Sequence, residues 1–376
     1  MLPHPPFWLV IIAFLCALGP LVFFHELGHY LVARLFGIPA ETFSIGFGRE
    51  IVGWTDRQGT RWKVSWLPLG GYVKFVGDMS PASNPGDLEA IPEHLRDRAF
   101  QSRPVWQRFL VVLAGPLTNF FLAVVIIAGF IGAYGVTSTP NVVVSTLPNT
   151  PARAAGLQPG DHIMGISGRR TETFDELALL TSMYPEQTVA LEILRGGRKF
   201  NVNVRLGSQT VKDVYGHKYR IGLLGIPPPK AQRTRVPIAE VVPAAVERTW
   251  FLTRSMAAGL GQILTGQRSL REVGGPVKIA QFAGEEAQLG FEDFIGLVAM
   301  LSINLGFINL LPVPALDGGH LFFYTIEGIR RRPIGAEALE WAFRGGFALI
   351  LALLLFVTAN DLGSIGLWDR LQRLIG

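Results

Sequence analysis

Five consecutive residues, His25-Glu26-Leu27-Gly28-His29, set two imidazoles one helical turn apart with a carboxylate beside the first. On an α-helix residues four apart share a face, so both rings can grip one cation, and Zn²⁺ takes nitrogen and oxygen ligands of this kind. Glu26 can then reach a water at that cation and act as its base. A catalytic zinc takes three protein ligands and keeps a fourth position open. Glu41 and Glu50 follow at spacings that would suit a soluble enzyme, but they lie in a segment interrupted by Gly, Pro and Ser, beyond the apolar run that carries the histidines. Asp317 is the better third ligand. It is the only acidic residue between Asp293 and Glu327, stands within an apolar stretch, and follows Asn309-Leu310-Leu311-Pro312-Val313-Pro314. The prolines break helix hydrogen bonding there, and irregular backbone at membrane depth persists only where protein or a watery cavity covers it. Gly318 and Gly319 would let this backbone approach the first helix, and His320 is either an outer support of the site or a plain interfacial residue. The implied chemistry is hydrolysis, with a polarised carbonyl, a water of lowered pKa, and Glu26 passing the water proton to the leaving amine. A His–Glu pair that only packed helices together would need one polar residue, not three at ligand spacing.

The elements that must position these groups are membrane spans. The chain is 49% hydrophobic and only 17% charged, against about 25% charged in soluble proteins, and its mean hydropathy is +0.33. Four apolar stretches, Phe7 to Phe36, Phe109 to Tyr134, Phe294 to Ile329 and Gly345 to Asn360, approach or exceed the ~20 helical residues that cross a bilayer. They define transmembrane helices over 1–36, 106–134 and 345–362, and a third transmembrane segment over 291–329. Arg96, Arg98, Arg103 and Arg108 precede the second, and Arg330, Arg331 and Arg332 follow the third. By the positive-inside bias the segment 37–105 and the basic loop 330–344 face the cytosol, with both termini, including the tail 363–376, and the region from Tyr134 to Phe291 outside. His25 stands nine residues before Arg34, so the site lies roughly 14 Å from the cytosolic end of its helix and needs a water path from that side. No Lys or Arg precedes the first span and no small-residue cleavage site follows it, so it is expected to be retained. The single cysteine, Cys16, allows no intrachain disulfide and no cysteine metal cluster. The net charge of +5 comes from dispersed basic residues, which argues against nucleic-acid binding.

Between the second and third spans the sequence reads as a small β-rich domain from Pro140 to about Leu206. Val189, Leu191 and Ile193 alternate, Arg195-Gly196-Gly197-Arg198 supplies a turn, and Phe200, Val202, Val204 and Leu206 alternate again, as in a hairpin with one buried face. A short helix is expected between Phe174 and Met183. The connector over 208–290 holds the stiff Pro227-Pro228-Pro229 and a helix from about Pro237 to Gly266, which lies on the outer membrane surface or packs on the domain. Gly274-Gly275-Pro276 is expected to end the connector.

The motifs His25-Glu26-Leu27-Gly28-His29 and Asn309-Leu310-Leu311-Pro312-Val313-Pro314-Ala315-Leu316-Asp317-Gly318-Gly319 resemble the HExxH and NxxPxPxLDG signatures of the site-2 proteases, peptidase family M50, in the bacterial regulator of sigma-E protease type. Ala114-Gly115-Pro116-Leu117-Thr118-Asn119 is similar to the start of that family's second span. The resemblance implies a multi-pass α-helical membrane protein with a zinc metalloprotease core, His25, His29 and Asp317 as Zn²⁺ ligands, and Glu26 as the catalytic residue. Pro68 to Lys74 resembles a membrane-reentrant β-hairpin, over about 61–76 on the cytosolic side, whose Gly70, Gly71, Tyr72 and Val73 would bind substrate together with Asn309. Gly156-Leu157-Gln158-Pro159-Gly160-Asp161 resembles the Gly-Leu-x-x-Gly-Asp element of an extracytoplasmic α+β PDZ domain, placed over 138–207. This chain has one such element where many of these proteases carry two PDZ domains. The implied substrates are single-span membrane proteins already cut once, namely anti-sigma factors and remnant signal peptides, within the lipid of a bacterial inner membrane. A metal transporter using the same intramembrane ligands, or a non-catalytic chaperone that binds through the PDZ domain, are the competing readings.

Overall fold

The computed structural model describes residues 5–77, 91–212, 218–230, 232–266 and 274–364. In chain order the first elements are helix α1 (Phe7–Leu35), strands β1 (Ala40–Thr55) and β2 (Arg61–Phe75), a single turn α2 (Glu93–Arg96) and helix α3 (Val105–Tyr134). Then follow β3 (Val136–Ser138), α4 (Pro151–Ala154), β4 (His162–Ile166), β5 (Arg169–Arg170), α5 (Phe174–Ser182), β6 (Thr188–Arg195), β7 (Arg198–Arg205), β8 (Gly207–Lys212), β9 (Lys218–Leu223) and β10 (Gln232–Thr234). Helices α6 (Ile238–Leu264), α7 (Pro276–Leu289), α8 (Phe291–Asn309), α9 (Asp317–Arg330) and α10 (Ala336–Ser364) complete the described chain. Two compact units emerge, one built of Met1–Ile127, Ala245–Thr253 and Val273–Asp361, the other of Ala128–Ala244, Arg254–Glu272 and Leu362–Gly376. The tail expected over 363–376 lies, from 365 onward, outside the described residues.

Among the described residues, four helices are long and apolar enough to cross a membrane: Phe7–Leu35, Val105–Tyr134, Phe291–Asn309 and Glu337–Gly363. Two boundaries differ from the sequence reading. The third apolar stretch, read as one interrupted span over 291–329, is two helices, because α8 stops at Asn309 and α9 begins only at Asp317. Pro312 and Pro314 supply no amide hydrogens for a continuing helix. The fourth helix starts at Ala336, nine residues before Gly345, so the basic loop 330–344 shrinks to a short turn. Ala, Leu and Glu propagate a helix whether or not they are apolar enough for lipid, and Glu340 and Arg344 pair one turn apart at 2.6 Å on its surface.

Strands β1 and β2 form an antiparallel hairpin that folds back on itself. Residue 42 pairs with both Lys74 and Arg61, residue 45 with both Gly71 and Val64, and residues 50–55 pair with 61–65. The segment around 40–45 is therefore an inner strand, and 71–75 is an outer one whose other flank pairs with no strand among the described residues. Phe43, Val73 and Phe75 bury against Tyr30 and Ala33 of α1, Val111 and Val112 of α3, and Leu321 and Tyr324 of α9. This cluster locks hairpin and helices together. A second core joins Ala17 and Leu21 of α1 to Val298 and Leu301 of α8.

The second unit holds a four-stranded sheet in the order β5-β4-β6-β7. Val143, Ile163, Ile166, Leu177, Leu180, Val189, Leu191, Ile193, Val204 and Leu206 form its buried core. The expected hairpin is β6–β7, with Gly196 and Gly197 at φ +53 and +82 in its turn, although Phe200 at its far end is exposed rather than inward. The expected helix is α5, capped by Thr173, whose side chain accepts from the Glu176 amide. The connector 208–290 is more structured than expected. Its first residues form the β8–β9 hairpin, β10 pairs with β3, and Pro276 opens α7 instead of closing the connector. Proline at a first helical position costs no hydrogen bond, so the Gly-Gly-Pro run is a start signal. The expected helix over 237–266 is α6. Ala258 packs on the sheet core and Gln262 Nε2 donates to the Met183 carbonyl at 2.8 Å, while Ile238, Val242, Val246 and Trp250 form an exposed stripe.

Candidate metal centre

The site is assembled by α1, α3 and α9. His25 and His29, four residues apart on α1, turn the same way, and their Nε2 atoms lie 3.3 Å apart. Asp317, the first residue of α9, brings Oδ2 to 3.0 Å from His25 Nε2 and 3.5 Å from His29 Nε2. All three side chains are largely withdrawn from solvent. Among the described residues this is the one group of three metal-ligating side chains within reach of a common ion.

The geometry fits a zinc ion. Ligands about 2.0–2.1 Å from a tetrahedral centre stand about 3.3–3.4 Å from one another, close to the three separations observed. Asp317 Oδ2 is buried without a hydrogen bond of acceptable geometry, as suits an oxygen whose partner is a cation. His29 Nδ1–H donates to the Val111 carbonyl of α3 at 2.9 Å, which leaves Nε2 with its lone pair free. A Cβ at Gly115 would fall 2.2 Å from His29 Nε2, so α3 leaves room for that ring only because residue 115 has no side chain.

Glu26 is buried beside His25. The outer strand comes to it: a Cβ at Gly71 would lie 2.9 Å from Glu26 Cγ and 2.8 Å from Val22 Cγ1, and the Val73 backbone amide lies near the Glu26 carboxylate. Gly71 and Val73 therefore stand at the site, whereas a Cβ at Gly70 would meet the Phe47 ring. Tyr72 stacks on Phe47, with ring centroids 6.0 Å apart. Asn309 closes α8 at the head of the proline turn that leads to Asp317.

The other sequence candidates fall elsewhere. Glu41 pairs with Lys74 at 2.8 Å and Glu50 pairs with Arg61, both on the hairpin. His320 lies against Phe343 of α10, ring centroids 4.5 Å apart, and takes the interfacial role. Gly318 and Gly319 do not serve approach to the first helix. A Cβ at either would strike the carbonyls of Leu311 or Val313, so their bareness lets the proline turn fold against the start of α9. Sequence reasoning missed Asn119, fully buried on α3 with its amide nitrogen 3.2 Å from His25 Nδ1. Its signal was an amide side chain in the middle of an apolar span.

Two imidazoles, a carboxylate and a neighbouring glutamate, enclosed by apolar helices of membrane-spanning length, define a membrane-embedded metallopeptidase. The Peptidase family M50 model matches residues 13–353, and the chain belongs to that family of site-2 zinc metalloproteases. It is 40% identical over 360 residues to a protein of Mesorhizobium japonicum named as a zinc metalloprotease, covering 94% of this chain and 98% of the relative. It is 41% identical over 356 residues to one of Rhizobium meliloti, covering 93% and 95%. With Metalloprotease MmpA of Caulobacter vibrioides it shares 35% identity over 381 residues, covering 95% and 96%. The chain is thus a zinc-dependent protease of the membrane.

Proposed function

We propose that this protease cuts single-span membrane proteins within the bilayer, with His25, His29 and Asp317 holding zinc and Glu26 as the catalytic base. The observation that carries the reading is the convergence of the three ligand atoms, 3.0 to 3.5 Å apart, beside the outer strand. Bound zinc supplies Lewis acidity for the carbonyl and the attacking water. Glu26 accepts the water proton and returns it to the departing amine. A helical substrate must unwind before its backbone can be attacked, and the unpaired flank of residues 71–75 offers it an extended partner. Gly70, Gly71, Tyr72 and Val73 bind that segment together with Asn309, the last residue of α8 before the ligand loop.

The substrates are proteins already shortened by another protease, anti-sigma factors and remnant signal peptides among them. Residues 138–207 are a single PDZ-like domain outside the cytoplasm of a bacterial inner membrane, which holds back substrates with a bulky external part, and the site opens toward the cytosol. A tagged single-span reporter coexpressed with the wild-type chain should release a cytosolic fragment, and Glu26→Gln should release none. Equal release from the variant would refute the assignment of Glu26, and metal flux without cleavage would turn the reading to a transporter.

A further inference from the structure

We infer that Asn119 is a positioning residue that fixes the tautomer in which His25 binds zinc, an inference that rests on the reading of His25, His29 and Asp317 as the ligands. The two histidines are supported differently. His29 Nδ1 faces a backbone carbonyl, which can only accept, so that ring must carry its proton on Nδ1. His25 Nδ1 faces a side-chain amide, which can either donate or accept. With the amide nitrogen toward the ring, as it stands at 3.2 Å, Nδ1 is the acceptor and the proton sits on Nε2, facing His29 Nε2 3.3 Å away, with Asp317 Oδ2 at 3.0 Å. That arrangement leaves no lone pair on His25 Nε2 for a metal. It also leaves Asn119 Oδ1 buried without a partner.

Rotating the amide by half a turn about its terminal bond reverses both roles. Oδ1 then accepts from Nδ1–H, and the bare Nε2 can share a cation with Asp317 Oδ2. The amide thus has one orientation in which His25 Nε2 carries a proton and one in which that nitrogen can take a metal. Its backbone is fixed while it turns, since the Ser302 hydroxyl of α8 donates to the Asn119 carbonyl at 2.7 Å and the residue is fully buried. An acceptor at this position is what zinc binding requires. A side chain of the same size without one should bind metal poorly.

The test compares Asn119→Leu and Asn119→Asp in the purified full-length chain, reading zinc affinity by competition with a chromophoric chelator. Lost support of a metal-binding histidine typically costs 10–100-fold in affinity. Asn119→Leu should weaken zinc binding by about that factor, and Asn119→Asp, which restores an acceptor for Nδ1–H, should return it to within about threefold of wild type. A residue needed only for packing would give the reverse order, because leucine fills the space and a carboxylate does not belong in it. Wild-type affinity in Asn119→Leu, or an Asp variant as weak as Leu, overturns the inference. Asp317→Asn is measured alongside. If that variant keeps wild-type affinity, it is the ligand reading that fails; if it loses zinc while Asn119→Leu does not, only the role of Asn119 falls. Circular dichroism on each variant separates lost affinity from lost fold, and a Leu variant that does not fold is replaced by Asn119→Ala under the same criteria.

Discussion

At the scale of single residues the site is held by what is absent as much as by what is present. Gly71 lets the outer strand lie against α1, where any Cβ would come within 2.9 Å of Val22, Glu26 and the Ser44 carbonyl. Gly71→Ala should displace the strand or Glu26 by a fraction of an ångström to an ångström, and misplacement of that size costs on the order of 100-fold in rate. Zinc content should stay at wild type, since the three ligands are untouched. Rate and metal content measured on one preparation check this, and an unimpaired Gly71→Ala would show that the strand does not need to lie so close. The convergence of His25 and His29 was legible in the sequence because four-residue spacing on a helix is a local fact. Asp317 was legible because a lone carboxylate in an apolar stretch demands a partner. Asn119 was not, because its meaning depends on which helix faces which, and spacing along one chain segment does not carry that.

Between elements, two of the helices that build the site are tied at their far ends. Arg108 of α3 donates to Glu327 of α9 at 3.1 Å, and its guanidinium lies 4.8 Å from the centre of the Tyr324 ring. The second oxygen of Glu327 accepts from the Ile334 amide at 3.2 Å, which fixes the turn into α10. Both side chains are largely buried. Removing one partner of such a pair strands the other charge and costs about 3–5 kcal/mol, whereas replacing both by apolar residues is often near neutral. Arg108→Met or Glu327→Leu alone should therefore lower the thermal midpoint of the detergent-solubilised chain markedly, and the double variant should recover most of the loss. Additive losses would show that the charges do not interact. A comparable tie joins α7 and α10, where Asp361 accepts from the amides of Gly275 at 3.2 Å and Lys278 at 3.1 Å and so caps α7 from another helix. The sequence hid α7 for this reason. Its capping partner stands more than eighty residues away, and its opening Gly-Gly-Pro resembles a terminator.

For the whole molecule, apolar length marked all four spans, and the alternation around Val189 to Val204 marked the sheet of the second unit. The short polar strands β8 and β9 escaped notice because neither buries an apolar face of its own. Within that unit Asp161 is held below the usual carboxylate range. Burial opposes this, but two hydrogen bonds from Arg195, at 2.6 and 2.7 Å, the Gln158 amide and the Arg195 charge outweigh it. A depressed carboxyl contributes its stability above the unfolded value, near pH 4, and loses it as pH falls through the folded value. Hydrogen exchange of β4 and β6 amides should thus be independent of this group from pH 7 to 5 and rise below about pH 4. Asp161→Ala should exchange faster throughout and respond less to acid, and an acid response equal to wild type would remove Asp161 as its source.

The bare flank of residues 71–75 also carries a rule of arithmetic. A guest chain laid along a strand presents alternate peptides to the same side, so sliding it by one residue turns the wrong face toward Glu26 and sliding it by two restores the first. Cuts in a substrate whose large and small residues alternate should then fall at positions of one parity, and inserting a single residue upstream should leave the cleavage point in place or move it by two residues of that pattern, never by one. Mass spectrometry of the released ends reads this ruler directly.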